Sequence, residues 1–193
     1  MTLNVKNVVA GSPRPGGYAN RAPLGTALPT DADTTLDSGF ISQGYVSSEG
    51  LVRAITKAYE TIRDWSGAEV KRPRTEIGVS LELTLIEAAN GEVLKTVYGD
   101  DAVTITAATT SKGTLTTIAY KGDDTPASAW VFDLKDGRQI RRIVVPNAVI
   151  TTEDFTQTFV PNEVIGYPLT LTAYPDAAGN YFFEYLDDGT PAP

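Results

Sequence analysis

The chain contains no histidine and no cysteine. The first absence removes Ser-His-Asp and Cys-His nucleophilic catalysis and the commonest zinc ligand together. The second leaves no disulfide to staple the fold and no evidence about redox compartment. No run of 18 apolar residues occurs, so neither a transmembrane helix nor membrane insertion is expected. The opening residues, MTLNVKNVVAGSPRPGG, lack the apolar run of a signal peptide. What is plentiful is threonine, valine, tyrosine and glycine, a β-rich profile over a length that suits one domain with an arm.

The net charge of −8 is spread unevenly. Residues 1–37 sum to 0 and 38–75 to +2, while 76–130 and 131–193 carry −5 each. An acidic chain repels nucleic acid unless a basic patch is set apart from the rest. The one dense basic run is Lys71, Arg72 and Arg74 around Pro73, and with no aromatic interleaved it reads as a solvated loop.

Residues 11–37 hold four prolines and no sustained apolar periodicity. Proline fixes φ and disfavours helix in the residue before it, which predicts an extended arm. Tyr18, Leu24, Leu28 and Leu36 give that arm anchors. The expected division is an arm over 1–37 and a single β domain over 38–193. Deleting residues 11–37 should on this reading leave the β domain folded.

From Gly39 onward strand signals dominate. GFISQGYVSSEGLVRAI predicts two short strands around Ser47–Gly50. Ile55, Tyr59, Ile62 and Trp65 recur at helical spacing, but the β-branched neighbours favour a strand ending in a turn near Asp64–Gly67. In EIGVSLELTLIE, Val79, Leu81, Leu83 and Leu85 alternate with Ser80, Glu82 and Thr84, one buried and one wet face. NGEVLKTVYG predicts the one helix, with Asn90 as N-cap, Gly99 as stop and Val93, Leu94, Val97 and Tyr98 as apolar stripe. Further strands are expected at 103–107, 114–120, 129–134, 138–145, 156–160, 168–174 and 180–186. Asp136-Gly137 and the DAAGN run read as hairpin turns, and Arg141–Arg142 reads as a β-bulge. Many strands with one short helix predict a sandwich or barrel.

In NYFFEYLDDG, Tyr181, Phe183 and Tyr185 share one strand face while Phe182, Glu184 and Leu186 share the other. Both faces are largely apolar, so either a helix of the same chain, with the one at 90–99 a candidate, or another subunit must lie against the strand. Asp31, Asp33 and Asp37 lack the spacing of a calcium loop, and the pairs Asp100-Asp101, Asp123-Asp124 and Asp187-Asp188 are explained by turns. GSPRPGG lacks the ending and context of a phosphate loop. No catalytic residue, cofactor or metal is expected. Trp65, beside a Ser-Gly turn, reads as a packing anchor or an interface residue.

APLGTALPTDADTTLDSGFISQGYVSSEGL, residues 22–51, resembles the N-terminal region of major tail tube proteins of long-tailed, non-contractile bacteriophages, those of actinobacterial phages especially. RDWSG at 63–67 is similar to that family's Arg-x-Trp-x-Gly turn, with Ser66 where a second glycine is common. The resemblance implies a mainly β subunit, a twisted sandwich or barrel with one short flanking helix and an extended N-terminal arm. It implies a non-enzymatic virion component, assembled in the host cytoplasm, whose rings of six stack into a tube that double-stranded DNA traverses unbound. Its implied partners are further copies of itself, the tape measure protein, the tail terminator and tail-tip proteins. The expected inter-subunit residues are Pro23, Leu24, Leu28, Pro29 and Leu36 on the arm, Trp65 at the turn, and Phe182 and Leu186 on the last strand. The alternatives are a carbohydrate-binding β-sandwich, which should be monomeric with aromatics on a concave face, or another tail protein such as a terminator or a contractile or secretion tube.

Overall fold

The computed structural model describes residues 3–15, 17–153 and 156–190; residues 1, 2 and 16 of the expected arm lie outside them. The main sheet is built from β1 (Ala19–Pro23), β2 (Ile41–Ser42), β3 (Val52–Tyr59), β6 (Arg74–Leu85), β9 (Ser128–Asp136), β10 (Gln139–Ile150), β11 (Tyr167–Ala173) and β12 (Phe183–Asp187). Its order is β2-β1-β9-β10-β11-β6-β3, with β12 also paired to β10. Two small ribbons complete the β structure, β4 (Ile62–Arg63) with β5 (Glu69–Lys71) and β7 (Val103–Thr106) with β8 (Leu115–Ile118). The one α-helix among the described residues is α1 (Gly91–Tyr98). The protein is mainly β, as its composition predicts.

The core lies on one face of this sheet. Val79, Leu81, Leu83 and Leu85 of β6 are buried, as their alternation requires, and they join Leu169 and Leu171 of β11, Trp130 and Phe132 of β9, and Val93 and Leu94 of α1. Asn90 caps the helix by accepting from the Glu92 amide, and Gly99 ends it at φ 94°. Two turns of helix cannot stand alone; α1 is held by packing and by a buried polar chain. Thr96 donates to Gln43 at 2.7 Å, and the Gln43 amide donates to Ala19 of β1. Gly91 admits Ile105 of β7, whose Cδ1 occupies the place a Cβ would take.

The opposite face of β9 and β10 is also covered. Six successive residues of β9, Ser128 to Asp133, are buried, which a strand wet on one side cannot show. On this second face Asp133 pairs in register with Arg142, and Val131 with Val144. Arg142 is 2% exposed and grips Asp133 bidentately, Nε to Oδ1 at 2.6 Å and Nη2 to Oδ2 at 3.1 Å. Its Nη1 donates to the carbonyls of Thr34 at 2.7 Å and Asp31 at 3.3 Å. The guanidinium thus ties the 31–34 loop over the sheet, and Pro29 and Ala32 are buried there.

Several sequence expectations need correction. Within the supposed arm, Ala19–Pro23 is an interior strand between β2 and β9, with Ala19, Asn20 and Ala22 buried. Arg141 and Arg142 are not a bulge, because the register with β9 runs unbroken through them. The irregularity lies between Val145 and Ala148, beside Pro146, which has no N–H to give the ladder. Residues 156–160 form no strand. β11 and β12 are not a hairpin: each pairs with a different part of β10, Ala148–Ile150 and Ile140–Val144. The DAAGN turn forms, with Asp176 accepting from the Ala178 and Asn180 amides, but the strands beyond it diverge.

Candidate assembly interface

One long hairpin extends beyond the core. β3 and β6 pair from Val52↔Glu82 to Tyr59↔Arg74, and pairing continues through Glu60 N–H to Pro73 O and Ile62↔Lys71. It closes in the turn predicted from Asp64 to Gly67, where Gly67 N–H reaches Asp64 O at 3.0 Å. Ile55 sits opposite Val79, yet Ile55 is 52% exposed and Val79 only 3%. The apolar stripe therefore runs past the end of the core. Beyond it Tyr59, Ile62 and Val70 are exposed, and Trp65 stands fully in solvent at the tip. Arg72 lies over the Tyr59 ring, 5.4 Å from its centroid.

The tip is ordered by one carboxylate. Asp64 accepts from Ser66 Oγ at 2.6 Å and from the Ala68 amide at 2.9 Å. The Ser66 hydroxyl bond above all, with the Ala68 amide, holds the Asp64 carboxyl below its ordinary range. A folded carboxylate with a depressed pKa stabilises its turn above the unfolded value of about 3.9 and loses that contribution as pH falls through the folded pKa. The Ser66 and Ala68 NMR signals should accordingly stay constant from neutral pH to about 4 and titrate below it; a midpoint well above that would contradict the turn.

At the other end of β6 three tyrosines meet. The Tyr98 ring stands edge-on to Tyr120 at 5.8 Å and to Tyr167 at 6.1 Å, and Tyr167 pairs with Leu85. Burial pushes the Tyr98 hydroxyl above its usual pKa. Beside these rings a cavity of about 420 Å³ is lined by Val97, Ile150 and Leu169, with Asp123 and Asp124 on its wall. Asp100 and Asp101 line an adjoining cleft.

The sequence-selected interface residues differ in exposure. Leu24, Trp65 and Leu186 are exposed, as is Pro23 at the end of β1. Leu28 and Leu36 are half-buried and Pro29 is buried. Phe182 packs against the subunit's own core beneath the Arg53 guanidinium, 4.5 Å away. Glu184 receives Arg53 and Arg141 at 3.1 and 3.2 Å, and Phe183 stacks on Tyr185. So the question raised by residues 180–186 has a largely internal answer, with Leu186 left open. Sequence reading did not mark Ile55, Tyr59 and Val70 as exposed apolar residues of one hairpin. The available signal was the recurrence of apolar residues through 52–71 with charged residues between them.

The phage tail tube protein family matches residues 1–193. The chain belongs to that family. A tail tube protein is a structural component of a phage virion, and the mainly β subunit is consistent with that assignment. Among curated proteins none matches the chain. Two solved structures are similar at 12% identity and TM-score 0.46. One is the tube-terminating cap of the anti-feeding prophage, aligned over 97% of this chain and 100% of that one. The other is the sheath-tube complex of an extracellular contractile injection system in its extended state, aligned over 95% and 98%.

Proposed function

We propose that this tail tube protein is the major tube subunit of a long-tailed, non-contractile phage. Rings of six stack into a hollow tube, with the tape measure protein inside it during assembly and the terminator and tail-tip proteins at its ends. DNA leaves for the host cell through the bore. The observation that carries this reading, beside the family, is the hairpin: exposed apolar side chains and a tryptophan left in solvent by the described residues of their own subunit. Exposed apolar surface of that kind marks protein–protein contact. Beside Trp65, the exposed members of the expected interface set are Pro23, Leu24 and Leu186, which join the hairpin as contact residues; Leu28, Pro29, Leu36 and Phe182 act by shaping the surface around them.

Sedimentation at micromolar protein, with tail-tip factors supplied as template, should show hexamers or longer polymers. A strict monomer under every condition would remove the reading. Passage of DNA also demands a bore that does not hold it. Six copies carry about −48 before counterions, which repels phosphates within the Debye length of about 8 Å at physiological salt. Duplex DNA should therefore run free in a gel shift at about 0.15 M salt, and its retention would contradict the expectation.

A further inference from the structure

The hairpin tip and the tyrosine groove sit at opposite ends of one strand. β6 begins at Arg74, where the tip departs, and ends at Leu85, beside Tyr167 and hence Tyr98. Roughly 36 Å of extended chain separates them. Their net charges are opposite in sign: the tip carries Arg63, Lys71, Arg72 and Arg74 against Glu60, Asp64 and Glu69, in the one segment of net positive charge, and the groove carries Asp100, Asp101, Asp123 and Asp124 against Lys121. Among the described residues Lys71, Arg72, Asp123 and Asp124 make no ion pair, and Asp100 makes only a 3.8 Å approach to Arg21. The cavity beside Tyr98 and Tyr120 has room for an indole at about 420 Å³. A second cavity, near Leu186, mixes Lys135 and Arg141 with Asp136, Asp187 and Asp188, and among its described lining residues there is no aromatic ring to receive an indole.

We propose that the hairpin tip of one subunit seats in the tyrosine groove of a second copy of this chain, Trp65 entering between Tyr120 and Leu169 and Lys71 and Arg72 facing Asp123 and Asp124. The contact rests on the tube reading and names the two surfaces it uses. Donor and acceptor are different patches at opposite ends, so the contact is heterologous. Repeated along one axis it builds an open series of subunits and never closes as a dimer. Complementary charge fixes which end meets which and speeds encounter, while the buried indole and tyrosine rings hold the contact.

The absence of cysteine makes the test clean. Ala68 and Asp124 are both exposed. A chain carrying Ala68→Cys with Asp124→Cys, mildly oxidised after assembly, should give a ladder of linked multimers on a non-reducing gel. Either single variant should give nothing beyond a dimer. Independently, Lys71→Glu with Arg72→Glu should abolish polymers, as should Asp123→Lys with Asp124→Lys, while all four in one chain should restore them. Circular dichroism must match the parent in each case. Wild-type polymers with no ladder and no restoration would overturn this contact alone. A wild-type chain that never assembles would remove the tube reading and the contact with it.

Discussion

Asp133→Ala should destabilise the subunit by about 3–5 kcal/mol, the usual cost of stripping one partner from a buried ion pair. Arg142 is almost wholly enclosed and its bidentate acceptor is Asp133. Without that carboxylate the guanidinium stays buried with only the Thr34 and Asp31 carbonyls to receive it. The cost is then an uncompensated charge, which exceeds the loss of an ordinary hydrogen bond. For a chain of this size the melting temperature should fall by roughly 6–20 °C. Asp133→Leu with Arg142→Met should lose much less, because two apolar groups leave no buried charge. Urea titration decides it: the midpoint should move far for the single change and little for the double, with the slope m constant. Equal losses in the two would mean that the pair acts only through packing.

The second large effect is the loss of the fold when residues 11–37 are deleted. The deletion removes β1 from between β2 and β9, opening an interior edge of the sheet. Ala19, Asn20 and Ala22 go with it, and so do both carbonyls that Arg142 holds in the 31–34 loop. An unpaired interior edge is also a template for aggregation. The truncated chain should show no cooperative thermal transition by circular dichroism and should precipitate on refolding. A cooperative transition near that of the full chain would mean that the segment is an appendage, as its prolines suggested. Leu24→Asp is the milder companion: Leu24 is exposed, so the fold should survive it.

Those two results also mark where sequence reading stopped. β6 was legible because Val79, Leu81, Leu83 and Leu85 alternate with polar residues over one wet face. α1 was legible because Asn90 and Gly99 cap it. The turn at Asp64–Gly67 was legible from Asp, Ser and Gly alone. Arg142 was not, because its role depends on Asp133, nine residues away across a hairpin whose register no local pattern states. Two adjacent arginines therefore resembled an interruption, when the alternation around them is intact. Pro146 was a readable sign of the true irregularity, since proline cannot complete a ladder. β1 escaped because ANRAP carries neither alternation nor a branched side chain, and becomes a strand only through β9 beside it. The groove at Tyr98 and Tyr120 joins a helix end to a residue just past the β7–β8 ribbon, 22 positions later, a proximity set by tertiary packing.

The central claim is that this chain builds a tube by repeating contacts between copies of itself. Negative-stain electron microscopy of the full-length protein, with tail-tip proteins present as template, tests it most directly. The account predicts ring-shaped end views and hollow tubes of uniform width with regular cross-striations. Single compact particles under all conditions, with no rings or tubes, would contradict it.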